Sequence, residues 1–90
     1  MVLAVLGLNH KTVSVDIREK FSISEESARE GLLHLSEQEG IKEAVVLSTC
    51  NRTEIYAVLK EEEDKEELYR FFLTLSGNSK AEKEYFFCKI

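Results

Sequence analysis

The stretch KEAVVLSTCNRTEIYAVL, residues 42–59, decides the fold of this 90-residue chain. Residues 42–49 and 52–59 are two runs rich in aliphatic and β-branched side chains, and they are separated by Cys50-Asn51. Asparagine is a turn former, and two strand-like runs around a two-residue break are typical of a β-hairpin. We therefore predict that these runs are the second and third strands of a sheet.

The sequence on either side of the hairpin predicts two further strands. Residues 2–9 are aliphatic at odd and even positions, which is typical of a strand in the middle of a sheet. Residues 85–90 are aromatic and β-forming, and they predict a last strand.

One helix is predicted between the first strand and the hairpin, and another after the hairpin. The first begins at Ser22 or Ser24 and is expected to end at Gly40. The second opens at Asp64 and carries apolar residues at helical spacing. The order β-α-β-β-α-β predicts an α+β, ferredoxin-like split βαβ fold, in which an antiparallel four-stranded sheet of order 4-1-3-2 has two helices on one face.

Composition limits what this chain does. With 43% hydrophobic and 32% charged residues, positions 1–90 are expected to form a single domain. The net charge of −5 argues against broad electrostatic binding of nucleic acid. The apolar N-terminus is too short for a membrane span and lacks a signal peptide's basic flank, and the two cysteines have no zinc-site spacing. We expect a cytoplasmic protein without a membrane association or a metal site.

The predicted strand order brings several polar residues to one edge of the sheet. The first strand ends there, the second ends there and the third begins there, so Asn9, His10, Cys50, Asn51 and Arg52 are expected to converge. A cysteine with polar neighbours and a nearby cation meets the conditions that favour a thiolate. Cys50 is therefore the candidate nucleophile.

Each candidate also has a simpler interpretation. A free cysteine is usually a small buried apolar group, and we assign that role to Cys88. Arg52 would otherwise be a solvated cation paired with Glu54, and His10 a histidine in an exposed loop. The glycines form no nucleotide-binding pattern, so no cofactor site is expected in this chain.

Three runs of the sequence together resemble one enzyme family. They are Gly7-Leu8-Asn9-His10-Lys11-Thr12, Asp16-Ile17-Arg18-Glu19-Lys20 and Ser48-Thr49-Cys50-Asn51-Arg52-Thr53-Glu54. They are similar to the N-terminal catalytic domain of glutamyl-tRNA reductase, the first committed enzyme of tetrapyrrole (porphyrin) biosynthesis. Of the three, the hairpin run is the most specific.

The resemblance implies a reaction and roles for the matching residues. The thiol at Cys50 attacks the aminoacyl ester of glutamyl-tRNA, and the resulting thioester is reduced with NADPH to glutamate semialdehyde. Thr49, Asn51 and Arg52 match the family's substrate-binding run, with Arg52 as the partner of the substrate carboxylate. Asn9 and His10 are possible further contacts.

The resemblance also implies that other parts of the enzyme lie outside this chain. The family has a downstream NADPH-binding domain and a dimerisation domain, and neither is present in residues 1–90. The full-length form is expected to be a homodimer, and this fragment alone is not expected to bind NADPH or to complete the reduction.

Two other functions fit the residues. Ferredoxin-like domains also serve as regulatory modules that bind a small ligand without chemistry, and fold alone does not separate these classes. A thiol redox protein fits less well, because no second cysteine is placed to resolve an oxidised Cys50.

Overall fold

The computed structural model describes residues 1–9, 11, 13–79 and 83–90. The regular elements in chain order are β1 (Val2–Asn9), α1 (Val15–Lys20), α2 (Glu25–Leu33), β2 (Ile41–Ser48), β3 (Arg52–Leu59), α3 (Lys65–Leu75) and β4 (Phe87–Lys89). Short 3-10 helices cover Leu35–Glu37, Glu62–Asp64 and Lys83–Tyr85. Within the described ranges, no helix is both long and apolar enough to cross a membrane.

The strands form one antiparallel sheet in the order β2-β3-β1-β4, which is the predicted order 4-1-3-2 counted from the other edge. In the register of β1 against β3, Val2 is paired with Leu59 and Asn9 with Arg52. The predicted α+β, split βαβ fold is confirmed, and the hairpin strands lie within one residue of their predicted bounds.

One face of the sheet carries the core. The inward residues of β1 and β3 are buried against α3, whose Leu68 and Phe72 are fully enclosed. The buried apolar residues are Ala4, Leu6, Leu8, Phe21, Ile23, Ile41, Ile55, Ala57, Leu59, Leu68, Phe71, Phe72, Leu73 and Leu75. On the opposite face, Leu3 and Val45 are 68% and 64% exposed. Both long helices therefore cover one side of the sheet.

The helix ends follow from local chemistry. The Ser24 hydroxyl accepts a hydrogen bond from the Ser27 N–H at 3.0 Å and begins α2. Gly77, at φ +79°, ends α3, because an αL residue at this position lets the next N–H groups bond back to the last carbonyls of the helix.

The predicted helix end at Gly40 is wrong, since α2 ends at Leu33. Gly40 is required for close packing instead: a Cβ there would lie 2.4 Å from Cγ of Asp64. Its N–H also donates to the Glu67 carboxylate at 3.0 Å.

Candidate active site

The tip of the β2–β3 hairpin is organised by Thr49. Its N–H donates to the carbonyl of Arg52 at 2.8 Å, and its hydroxyl oxygen accepts from the N–H groups of Asn51 and Arg52, both at 3.2 Å. These bonds satisfy the backbone of a tight turn, so that Cys50 sits at the tip as an exposed free thiol.

The end of β1 lies beside this turn, as the strand order predicts. Asn9 is the register partner of Arg52, and its side-chain oxygen accepts the N–H of Lys11 at 2.8 Å. The structure thus brings Asn9, Asn51 and Arg52 to one edge of the sheet. His10, also predicted here, lies outside the described residues.

A surface depression of about 510 Å³ lies at this edge. Its lining residues are Asn9, Lys11, Thr49, Asn51 and Arg52. Four of the predicted site residues therefore share one concave surface with Lys11, whose role the sequence did not indicate. Cys50 lies in the same turn, between two of the lining residues, and is itself outside the lining.

Arg18 is a residue of this edge that sequence reasoning missed. Its Nε donates to the backbone carbonyl of Cys50 at 3.3 Å, and its Nη1 donates to the carbonyl of Val13 at 3.0 Å. One guanidinium therefore links the β1–α1 connection to the hairpin tip. Arg18 belongs to the run 16–20 that carries part of the family resemblance, but strand and helix periodicity do not determine where α1 lies against the hairpin.

Arg52, Glu54 and Tyr56 form a polar row on β3. The Tyr56 hydroxyl donates to Oε1 of Glu54 at 2.9 Å, and Nε of Arg52 lies 3.9 Å from the same oxygen. This hydrogen bond, together with the negative charge of Glu54, raises the pKa of Tyr56. Glu54, the partner expected for Arg52 in the simpler interpretation, is thus nearby. The Arg52 side chain is still 53% exposed.

Cys88 is exposed, so its predicted burial is wrong. Its pairing with Leu6 places it on the edge strand β4, where a small depression of about 190 Å³ has Tyr69 and Phe86 in its wall. Partial burial of the thiol among these groups raises the pKa of Cys88. The prediction failed because β4 is an edge strand of three residues.

Comparison with known proteins identifies the family. The family model described as Glutamyl-tRNAGlu reductase, N-terminal domain, matches residues 6–89. The chain belongs to this family.

Curated glutamyl-tRNA reductases agree with that assignment. The sequence is 45% identical to the glutamyl-tRNA reductase of Desulforudis audaxviator over 78 residues, covering 87% of this chain and 18% of that protein. It is 49% identical to the one from Synechocystis sp. over the same number of residues and with the same two coverages. The chain thus spans less than a fifth of the length of these relatives.

Part of a solved glutamyl-tRNA reductase has the same fold. The structure from Methanopyrus kandleri superposes with a TM-score of 0.59 at 30% identity, and the match covers 78% of this chain and 16% of that one. The α+β architecture of the chain is therefore that of a glutamyl-tRNA reductase domain.

Three of the four glycines of this domain pack closely against other parts of the protein. Phosphate cradles use glycines whose missing side chains leave room for the ligand. Here the space beside Gly7, Gly31 and Gly40 is filled by atoms of the protein itself, and Gly77 is a helix end. In the same described ranges, no cluster of His, Cys, Asp and Glu is arranged to hold a metal ion.

Proposed function

We propose that this domain accepts the glutamyl group of glutamyl-tRNA on the thiol of Cys50, as the first half of the glutamyl-tRNA reductase reaction. The observation that carries the proposal is the exposed Cys50 thiol at the hairpin tip, next to a depression lined by Arg52. Membership of the family supports the choice of substrate over a regulatory small ligand.

The proposed step is an acyl transfer. The thiolate sulfur of Cys50 attacks the carbonyl carbon of the aminoacyl ester, and a carbon–sulfur bond forms as the bond to the ribose oxygen breaks. The thiol proton is lost to solvent when the thiolate forms, and the leaving ribose oxygen takes a proton from solvent, so the tRNA leaves as an alcohol and the glutamyl group remains as a thioester. A thioester carbonyl accepts hydride more readily than an oxygen ester does, so the covalent intermediate makes the later reduction easier.

The neighbouring residues have distinct proposed roles. Arg52 binds the side-chain carboxylate of the glutamyl group, since a planar guanidinium pairs with a carboxylate through two hydrogen bonds. Thr49 and Asn51 position the reacting carbonyl at the turn, Thr49 through the backbone that its hydroxyl holds. Asn9 and His10 are proposed as further substrate contacts from the end of β1.

The reduction is proposed to take place with parts of the enzyme outside residues 1–90. By the family resemblance, a downstream domain supplies NADPH, the product is glutamate semialdehyde and the complete enzyme is a homodimer. We assign no step of hydride transfer to residues of this chain and propose a cytoplasmic location for the reaction.

The test is NADPH oxidation with glutamyl-tRNA by the complete reductase that contains this domain. Cys50→Ser is expected to abolish oxidation, because a serine hydroxyl is not ionised at neutral pH. Cys88→Ser is the matched control and is expected to retain activity. Wild-type activity in Cys50→Ser would overturn the proposal.

A further inference from the structure

Glu54 is a buried carboxylate to which the proposed reaction assigns no role. It is 5% exposed, although it lies on the sheet face opposite the helices, where Leu3 is 68% exposed. Burying a charged group costs free energy unless its partners compensate. The groups that contact Glu54 therefore indicate its role in the site.

Those partners are the two neighbouring residues on the same face of β3. Successive side chains alternate between the faces of a strand, so Arg52, Glu54 and Tyr56 form one row. The Tyr56 hydroxyl donates to Oε1 of Glu54 at 2.9 Å, which fixes that oxygen from one side. Nε of Arg52 lies 3.9 Å from the same oxygen, so Glu54 attracts Arg52 by charge at a distance longer than a hydrogen bond.

The neighbouring strand provides space for the Glu54 side chain. Gly7 of β1 is its register partner, and a Cβ on Gly7 would lie 2.8 Å from Cγ of Glu54. A glycine at this position therefore lets the carboxylate lie flat on the sheet. Gly7, Tyr56 and Arg52 thus each lie close to the Glu54 side chain.

The exposure of the two charges is unequal. The side chain of Glu54 is 7% exposed and that of Arg52 is 53% exposed. The carboxylate is therefore the fixed partner, and the guanidinium is the group that reaches solvent beside the depression. Because a guanidinium is planar and rigid, the attraction of its Nε edge toward Glu54 also biases the direction of its other donors.

We propose that Glu54 is a positioning residue that sets the direction of the Arg52 guanidinium, and that this setting makes the site select an acyl group with a terminal carboxylate over the corresponding amide. The inference rests on the proposed function, since it uses Arg52 as the partner of the substrate carboxylate. In this proposal Glu54 acts through Arg52 and not by contact with the substrate.

The experiment measures thioester formation on the protein with glutamyl-tRNA and with glutaminyl-tRNA, whose acyl groups differ only in the terminal carboxylate. Glu54→Gln keeps the shape of the side chain and removes its charge. A displacement of about 1 Å costs on the order of 100-fold in rate, so we expect the preference for the glutamyl group to fall by roughly tenfold or more. Glu43→Gln, at an exposed position of β2, is the matched control and is expected to keep the wild-type preference.

A purely structural role for Glu54 predicts a different result. It would lower the rates with both tRNAs equally and leave their ratio unchanged, and an unchanged ratio in Glu54→Gln would overturn the inference. Alkylation of Cys50 by iodoacetamide is measured in parallel and is expected to keep its wild-type rate, since Glu54 acts through Arg52.

Failure of the proposed function is recognisable separately, because the wild-type protein would then take no glutamyl group from tRNA. The inference is tested in that case by the NMR resonance of the Arg52 Nε–H group during titration with glutarate. A shift in the wild type that is weaker in Glu54→Gln supports the positioning role. Equal shifts in both proteins, or no shift in the wild type, would overturn it.

Discussion

The Nε atom of Arg18 lies 3.3 Å from the backbone carbonyl oxygen of Cys50, although 32 residues separate the two in sequence. The same guanidinium holds the carbonyl of Val13 at 3.0 Å. The turn that carries the proposed nucleophile is therefore tied to the connection between β1 and α1, and its position depends on a side chain outside the hairpin.

Arg18→Lys is expected to slow thioester formation by roughly tenfold, since a lysine ammonium cannot reproduce the rigid fork that reaches both carbonyls. The rate of glutamyl transfer from tRNA measures the effect. Arg29→Lys is the control, because the pair that Arg29 makes with Glu25 at 3.4 Å is exposed and lies on a single helix. Equal rates for Arg18→Lys and the wild type would show that the turn holds its position without this link.

Gly7→Ala is expected to destabilise the fold by about 1–3 kcal/mol, the usual cost of overpacking. The added Cβ would lie 2.6 Å from the backbone oxygen of Thr53, and a backbone atom in a central strand cannot move aside easily. Urea unfolding followed by circular dichroism measures the change. Gly31→Ala is expected to cost less, because its close neighbour is the movable end of the Leu75 side chain and helices favour alanine. A Gly7→Ala protein as stable as the wild type would contradict this packing.

Tyr56 is expected to ionise at a higher pH than an ordinary tyrosine, because its hydroxyl donates to the Glu54 carboxylate. A raised folded-state pKa means that this contact stabilises the protein fully below the unfolded value near 10, and that the stabilisation is lost as the pH rises through the folded pKa.

Ultraviolet titration of tyrosinate checks this prediction, with Tyr56→Phe subtracted to isolate Tyr56 from the other tyrosines. In Glu54→Gln the pKa of Tyr56 is expected to move back down toward its ordinary value. The same Tyr56 pKa in the wild type and in Glu54→Gln would show that the hydrogen bond is not formed in solution.

Iodoacetamide is expected to alkylate Cys50 well before Cys88. Both thiols are exposed, but partial burial raises the pKa of Cys88, which leaves less of the reactive thiolate at neutral pH. Intact mass spectrometry of the wild type, Cys50→Ala and Cys88→Ala gives the two rates. Labelling of Cys88 first, or of both at one rate, would argue against an accessible and reactive Cys50.

The sequence predicted the sheet because its signals were local. The two runs around Cys50-Asn51 and the helical spacing after Asp64 each define an element without reference to the others. Strand order then followed from topology rules, and it correctly brought Asn9 beside Arg52.

Features that depend on contacts between elements were not predictable in the same way. Gly40 has the sequence signature of a helix end, but its role is to let the Asp64 side chain approach. The link from Arg18 to Cys50 depends on where α1 lies against the hairpin tip, which local patterns do not determine. The burial of Glu54 depends on the register between β1 and β3, which places it opposite Gly7. The hydrophobic pattern of a single strand does not determine its register with a neighbouring strand.

The most direct test of the central claim is transfer of the glutamyl group from glutamyl-tRNA to the protein in the absence of NADPH. After brief incubation, intact mass spectrometry and peptide mapping locate the acyl group, and hydroxylamine distinguishes a thioester from an amide. We predict one hydroxylamine-labile glutamyl group on Cys50, present in Cys88→Ser and absent from Cys50→Ser. A glutamyl group found on another residue, or its persistence in Cys50→Ser, would contradict the assignment of Cys50 as the nucleophile.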